Sequence, residues 1–368
     1  MWTQAVLSTS MLAMHKTKTN QKAATQPVSR RAVLQSSAAA LASVGSGVLV
    51  TACGGNQDAA AGTSLTFLAV LPMTTLTYAP ELLADAGGYF SDQGLDVSFQ
   101  STRGTAQAIQ LVIAGSAPLS RIGQIEAVSH AANRGAPIMN VGTVVKESTI
   151  RIVSSASVPL REPGDFVGKT LGIPSEGGES ETTLDLLLAS SGVDPASVER
   201  QVVGVGPGVF NLVEQGRIAG FMVSIDTAKI LERQMQDVVV LRPGDFIESG
   251  AQLYMMSADG LTENSGIIRR YLEAVRGAID FIIADDGFEQ TLAIMRQKYS
   301  FGTLQDDAVA KDSLSEYVRA WTLAGSENIL RTDPERWRLG YQELVSAGQV
   351  EAGHDPNAWY TNDLVPLR

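Results

Sequence analysis

From about residue 64 onward, short apolar runs of buried-strand type alternate with stretches in which apolar residues recur every three or four positions, as on amphipathic helices. Apolar runs at 65–71, 95–99, 139–145, 150–154, 170–173, 202–205, 220–223, 238–241 and 253–257, with a shorter one around Leu119, predict strands. Helical spacing predicts helices at 80–86, 106–114, 125–134 and 181–190, one ending near 215, and one from about 227. Gly87-Gly88, Gly104, Gly135, Gly192 and Gly206-Pro207-Gly208 punctuate them, and Pro80 stands where a first-turn proline is tolerated. Such alternation predicts parallel βαβ units. From Thr262 the pattern is nearly all helical, and Leu272, Val275, Ile279 and Ile282 form a core stripe within 267–283. No short fixed repeat is present, so the simplest packing is two α/β units with the chain returning to the first.

The pattern before residue 64 is different. Ser29-Arg30-Arg31-Ala32-Val33-Leu34-Gln35 leads into small and apolar residues up to Val50, and Leu49-Val50-Thr51-Ala52-Cys53 follows. This order resembles a twin-arginine export signal ending at a lipobox. The resemblance implies that residues 1–52 are removed, that Cys53 carries lipid, and that 54–63, rich in Gly, Ala, Asn, Gln and Asp, is a flexible tether. The competing reading is a buried helix with an inert core thiol. Gln35, several serines, Gly45 and Gly47 speak against a membrane-spanning helix. The stretch ahead of Ser29 is long for a signal, which puts the expected start at Met11 or Met14.

Charge narrows the function classes. Beyond residue 52 there are 316 residues with 23 basic and 39 acidic side chains, a formal charge of −16. A nucleic-acid or anionic-membrane surface calls for the opposite sign. The single cysteine excludes an internal disulfide, and His15, His130 and His354 are far apart in sequence, so neither metal nor cofactor is expected.

Three segments carry a family resemblance. Ala79-Pro80 through Gly88-Tyr89-Phe90 with Gly94-Leu95-Asp96-Val97 is the first. Gly168-Lys169-Thr170-Leu171-Gly172-Ile173-Pro174, with Gly177-Gly178 and a helix ending at Gly192-Val193, is the second. Asp333-Pro334-Glu335-Arg336-Trp337 with Tyr360-Thr361-Asn362 is the third. In order and spacing they resemble the substrate-binding proteins of ABC importers that take alkanesulfonates, nitrate, taurine and thiamine pyrimidine precursors. The resemblance implies a type II periplasmic-binding-protein fold, two α/β lobes joined by two hinge crossings, with a helical C-terminal region. Residues 64–154 and 250–368 are expected in lobe 1 and 155–249 in lobe 2, with crossings near 154–165 and 242–250. The implied partners are a small-molecule ligand, a permease with its ATPase, and the membrane through Cys53; a monomer is expected.

Ligands of open α/β sheets collect beyond the carboxyl ends of strands, where helix N-termini offer free N–H groups. That rule selects loops holding Leu76, Tyr78, Gly104, Thr105, Arg121, Gly123, Gln124, Phe210, Ser224 and Asp226. It also selects the loop Ser175 to Ser180, and the family resemblance implies that Gly178, Glu179 and Ser180 meet the ligand from the second lobe and Gly123-Gln124 from the first. Gly177-Gly178 brings backbone close to an oxyanion with Ser180 donating, or forms a turn with Ser180 as N-cap. Glu179 and Glu181 would oppose an anion if they point inward. Arg121 is either a bidentate clamp for a carboxylate or sulfonate or a charge on a solvated rim, and Arg103 and Lys146 share that ambiguity. Tyr78 and Phe210 either stack on a planar ligand or pack locally.

The leading expectation is a non-catalytic, exported, lipid-anchored receptor for a sulfonate or for an aromatic or other small organic acid. A neutral heterocycle such as a pyrimidine is the alternative ligand. A pyrimidine-synthesising enzyme of this fold is disfavoured because that type resembles this chain but uses a cysteine-rich motif, and a serine hydrolase because no G-x-S-x-G elbow is present. A structural lipoprotein that binds nothing is the third class.

Overall fold

The computed structural model describes residues 62–367. Among the described residues ten strands form two five-stranded sheets. In chain order they are β1 Thr63–Ala69, β2 Leu95–Ser101, β3 Leu119–Gly123, β4 Ile138–Val145, β5 Ile150–Ser155, β6 Thr170–Ile173, β7 Glu199–Val202, β8 Gly220–Ser224, β9 Val238–Leu241 and β10 Gln252–Ser257. The first sheet runs β2-β1-β3-β10-β4 and the second β7-β6-β8-β5-β9. Periodic apolar runs become strands because their side chains are buried: Leu65, Phe67, Leu68 and Ala69 on β1 are at most 2% exposed.

The expected parallel βαβ pairings are present, and one strand in each sheet runs the other way, so the sheets are mixed. β1 pairs in parallel with β2 and β3, and β6 with β7 and β8. The first strand after each passage between sheets enters the other way: β5 is antiparallel to β8 and β9, and β10 to β3 and β4. Ile152 and Val153 pair with Met222 and Phe221 of β8, so the chain leaves the first sheet at 146–149 and not at 154–165. The strand expected to close the first lobe therefore lies in the second sheet. The return passes through 242–251.

Two further boundaries moved. The run 202–205 was expected to be a strand, but the strand is Glu199–Val202, and Val202 and Val205 are more than half exposed at this sheet edge. The helix expected from 181 begins at Glu179, with Gly178 as an extended N-cap, so Glu179 and Ser180 lie in its first turn and Ser180 is not the cap. The helix Gly260–Ala284 covers the first sheet, where Tyr271 stacks on Phe67 at 5.8 Å and on Phe90 at 5.1 Å.

Polar contacts join the two sheet units beside the passages. The helix Ile225–Gln234 packs against the helix Asp307–Thr322. Glu316 of the latter accepts from Arg242 at 2.9 Å and Arg151 at 3.1 Å, with Lys229 at 3.4 Å. Burial alone would push the Glu316 carboxyl up; the hydrogen bond and charge of Arg151, with Lys229 and Arg242, outweigh it and hold it at about 2. A folded value below the unfolded one means the stability Glu316 adds is fully present above about pH 4.3 and is lost as pH falls toward 2. Glu316→Gln is expected to cost about 1–2 kcal/mol at pH 7, a figure reduced for solvent screening, and to flatten the acid limb of urea-unfolding stability in that window.

Candidate functional site

A cavity of about 560 Å³ lies between the two sheet units. The first unit contributes Val70 and Leu71 after β1, Thr77 and Tyr78, the 103–106 turn after β2, the end of β3 from Arg121 to Gly123, Glu126 and His130 of the following helix, and Gln252. The second contributes Ser175 through Glu179, the loop after β6 and the first turn of the helix Glu179–Ser190. These are carboxyl ends of parallel strands and N-termini of helices, where backbone N–H groups and glycine approaches converge.

Of the residues expected to hold ligand, Tyr78, Gly104, Thr105, Arg121, Gly123, Gly178 and Glu179 line this cavity. Leu76, Gln124, Ser180, Phe210, Ser224 and Asp226 are not among its lining residues. Leu76 is buried in the apolar cluster that holds Phe67 and Tyr271. Phe210 is 2% exposed among Val153, Phe221 and Leu231, so it packs locally. Gln124 is buried under Gly340, whose missing Cβ makes room for its amide. Ser224 caps the helix Ile225–Gln234 by accepting from the Thr227 N–H at 3.3 Å. Asp226 ties the two units together, its Oδ2 accepting from the Thr75 hydroxyl at 2.8 Å and the Leu76 N–H at 3.0 Å.

Arg121 departs most from expectation. It is 1% exposed, not a rim charge, and its terminal nitrogens are already engaged. Nη1 donates to the Thr77 carbonyl at 2.7 Å and to the Glu81 carboxylate at 3.1 and 3.2 Å; Nη2 donates to Gln252 Oε1 at 2.7 Å and Thr77 Oγ1 at 3.3 Å. Glu81 is itself fully buried and accepts from the Tyr254 hydroxyl at 2.6 Å. The guanidinium stands 5.1 Å from the Tyr78 ring centre, and the Tyr78 hydroxyl accepts from the Leu71 N–H at 3.3 Å. Arg121 thus fixes the cavity wall with both terminal nitrogens engaged, and only its buried Nε is without a partner. Lys146 is also spent: buried at the first passage, its Nζ donates to the carbonyls of Thr143 and Arg331, and burial pushes it down to about 7. Arg103 lines the cavity as an exposed residue.

Sequence reasoning missed Glu126. A Cβ built on Gly123 would meet Glu126 Oε2 at 2.5 Å and Glu179 Oε1 at 2.9 Å, so the two carboxylates, one from each unit, meet over that glycine. Glu126 Oε2 is shut off from water and has no hydrogen-bond partner. Burial, then the charge of Glu179, raises the Glu126 carboxyl well above the usual range; burial raises Glu179 to about 7. Burial followed by the charge of Arg134 pushes neighbouring His130 down. An acid in a first helical turn is ordinary dipole chemistry, so the sequence Gly123-Gln124-Ile125-Glu126 held no distinguishing signal.

The chain is 25% identical to the riboflavin-binding protein RibY of Chloroflexus aurantiacus over 81% of this chain and 85% of that protein. It is 24% identical to the formylaminopyrimidine-binding protein of Halalkalibacterium halodurans, over 63% and 70%. A 4-amino-5-hydroxymethyl-2-methylpyrimidine phosphate synthase of Saccharomyces cerevisiae is 24% identical over 56% and 64%. Among solved structures, the periplasmic aliphatic sulphonate binding protein SsuA of Escherichia coli superposes with a TM-score of 0.61 at 15% identity, over 81% of this chain and 97% of that one. That likeness shows a periplasmic-binding-protein fold. The "NMT1/THI5 like" family model matches residues 76–286, more than half of the sequence, and the chain belongs to that family.

Proposed function

We propose that the chain is the solute-binding component of an ABC importer, which captures a small organic molecule between its two sheet units and presents the closed form to a permease. The observation that carries this reading is the cavity itself, because its lining comes from both units and neither half would enclose a ligand alone. Its volume falls within the range of about 300–1,000 Å³ usual for small-molecule sites. Two relatives, matched over 81% and 63% of this chain, are named as binding proteins.

The yeast relatives are named as synthases, but the cysteine-rich motif expected of that enzyme type has no counterpart in a chain whose single cysteine is Cys53. A non-catalytic role is the reading adopted. Export, with residues 1–52 as signal and a lipid on Cys53, rests on the sequence motif, which lies outside the described residues. Among the described residues no helix is long and apolar enough to cross a membrane. Native mass spectrometry of protein purified without denaturation is expected to show a bound small molecule of one defined mass. Ligand-free spectra from every expression host, with no compound stabilising the protein in a thermal-shift screen, would contradict the reading.

A further inference from the structure

The two acids that meet over Gly123 decide what charge the cavity can hold. Glu126 belongs to the helix Gln124–Arg134 of the first unit and Glu179 to the helix Glu179–Ser190 of the second. A Cβ on Gly123 would lie 2.5 Å from Glu126 Oε2 and 2.9 Å from Glu179 Oε1, so both oxygens crowd one point. Acids gathered together would by themselves say little. Here Glu126 Oε2 is also shut off from water with no hydrogen-bond partner, although its residue forms part of the cavity wall.

Like charges this close ionise together only when a cation stands with them; otherwise they keep a proton between them. Of the two arginines in the lining, Arg121 gives its terminal nitrogens to Glu81, Thr77 and Gln252, and Arg103 is exposed. Glu176 adds a third acid, and the remaining titratable side chains of the wall are Tyr78 and His130. The helix Pro334–Ser346 packs against both helices, but its Glu343 is committed to the N–H groups of Glu248 and Ser249. Two converging carboxylates are complemented by a positive head with several N–H donors, an ammonium or a guanidinium. Val70, Ile122 and Tyr78 supply apolar wall for the body that carries it.

We propose that the cavity takes a small organic cation, seating its ammonium or guanidinium head between Glu126 and Glu179 and its apolar body along Val70, Ile122 and Tyr78. The proposal rests on the solute-binding reading above. The head takes the place of the shared proton, which leaves to solvent, and it donates to the stranded Glu126 oxygen. One carboxylate rides on each unit, so the ion that neutralises the pair also holds the two units together.

Isothermal titration calorimetry at pH 7 tests this with 2-phenylethylamine and agmatine, the uncharged isostere 2-phenylethanol and the anion ethanesulfonate, on wild type, Glu126→Gln and Glu179→Gln. At least one amine is expected to bind wild type, to exceed 2-phenylethanol and ethanesulfonate by about tenfold or more, and to lose about 10- to 100-fold in each variant, as for a lost hydrogen bond to a charged group. Titrations in two buffers of different ionisation enthalpy should show a proton released on binding to wild type. Glu179→Gln should abolish that release although His130 is untouched. The two variants sit on different units, so misfolding of one, seen by circular dichroism, leaves the other informative. Preference for 2-phenylethanol or ethanesulfonate, amine affinity unchanged in the folded variants, or a co-purified molecule without a cationic nitrogen would overturn the inference and leave the receptor reading standing. No binding of any probe, together with native spectra that show no bound molecule, would remove both.

Discussion

Replacing Glu81 with alanine is expected to destabilise the protein by about 3–5 kcal/mol, the usual cost of leaving a buried charge without its partner. Arg121 is 1% exposed and Glu81 fully buried, so water cannot take over the lost interaction. Tyr254 would lose its acceptor in the same step. The double variant Glu81→Leu with Arg121→Met should be less destabilised than the single one, because replacing both members of a buried pair by apolar groups is often near neutral. Urea unfolding of the three proteins measures this directly. A Glu81→Ala protein within about 1 kcal/mol of wild type would mean that Arg121 is not neutralised by Glu81 and is free to clamp an anion after all.

Glu179→Gln is expected to have the opposite sign. The folded-state value near 7 lies above the unfolded value of about 4.3, so the fold binds more protons than the unfolded chain across that window. Stability of the unliganded protein should therefore fall as pH rises from about 4 to about 7, with the penalty fully present above it. Removing one carboxylate should stabilise the unliganded protein at pH 8 by about 2 kcal/mol and flatten that slope. Chemical unfolding of wild type and variant at pH 5 and pH 8 gives both numbers. A variant no more stable than wild type at pH 8 would show that the two carboxylates are not held in conflict over Gly123.

The parts of the fold legible in the sequence were those set by local pattern. Strands such as 170–173, 220–223 and 238–241 stand as apolar runs between polar or glycine-containing stretches, and Gly87 and Gly135 stop their helices at the places predicted. What local pattern does not encode is which sheet a run joins. The 150–155 strand has the same apolar character whether it ends the first unit or opens the second, and only its pairing with β8 and β9 decides. Its reversed direction, and that of β10, arise because a chain entering from the other unit need not make a right-handed parallel crossover.

The site was legible in outline for the same reason. Strand ends and glycine turns pointed to Tyr78, Gly104, Gly123, Gly178 and Glu179, since those positions follow from where elements stop. Long-range pairing was hidden. Glu81, 40 residues from Arg121, looks like any of the acids in the chain until the fold sets it against the guanidinium. Phe210 beside a glycine turn resembles a stacking platform, but it is packed among Val153, Phe221 and Leu231 of the second unit.

The central claim, that a small molecule is held between two units that close on it, is tested most directly by small-angle X-ray scattering of the purified protein. Scattering is recorded with the co-purified or best-binding ligand at saturation, and again after ligand removal by partial unfolding and refolding. The account predicts a smaller radius of gyration with ligand, reversed on removal and restored on re-addition. An identical radius in both states, at a ligand concentration where calorimetry shows full occupancy, would contradict it.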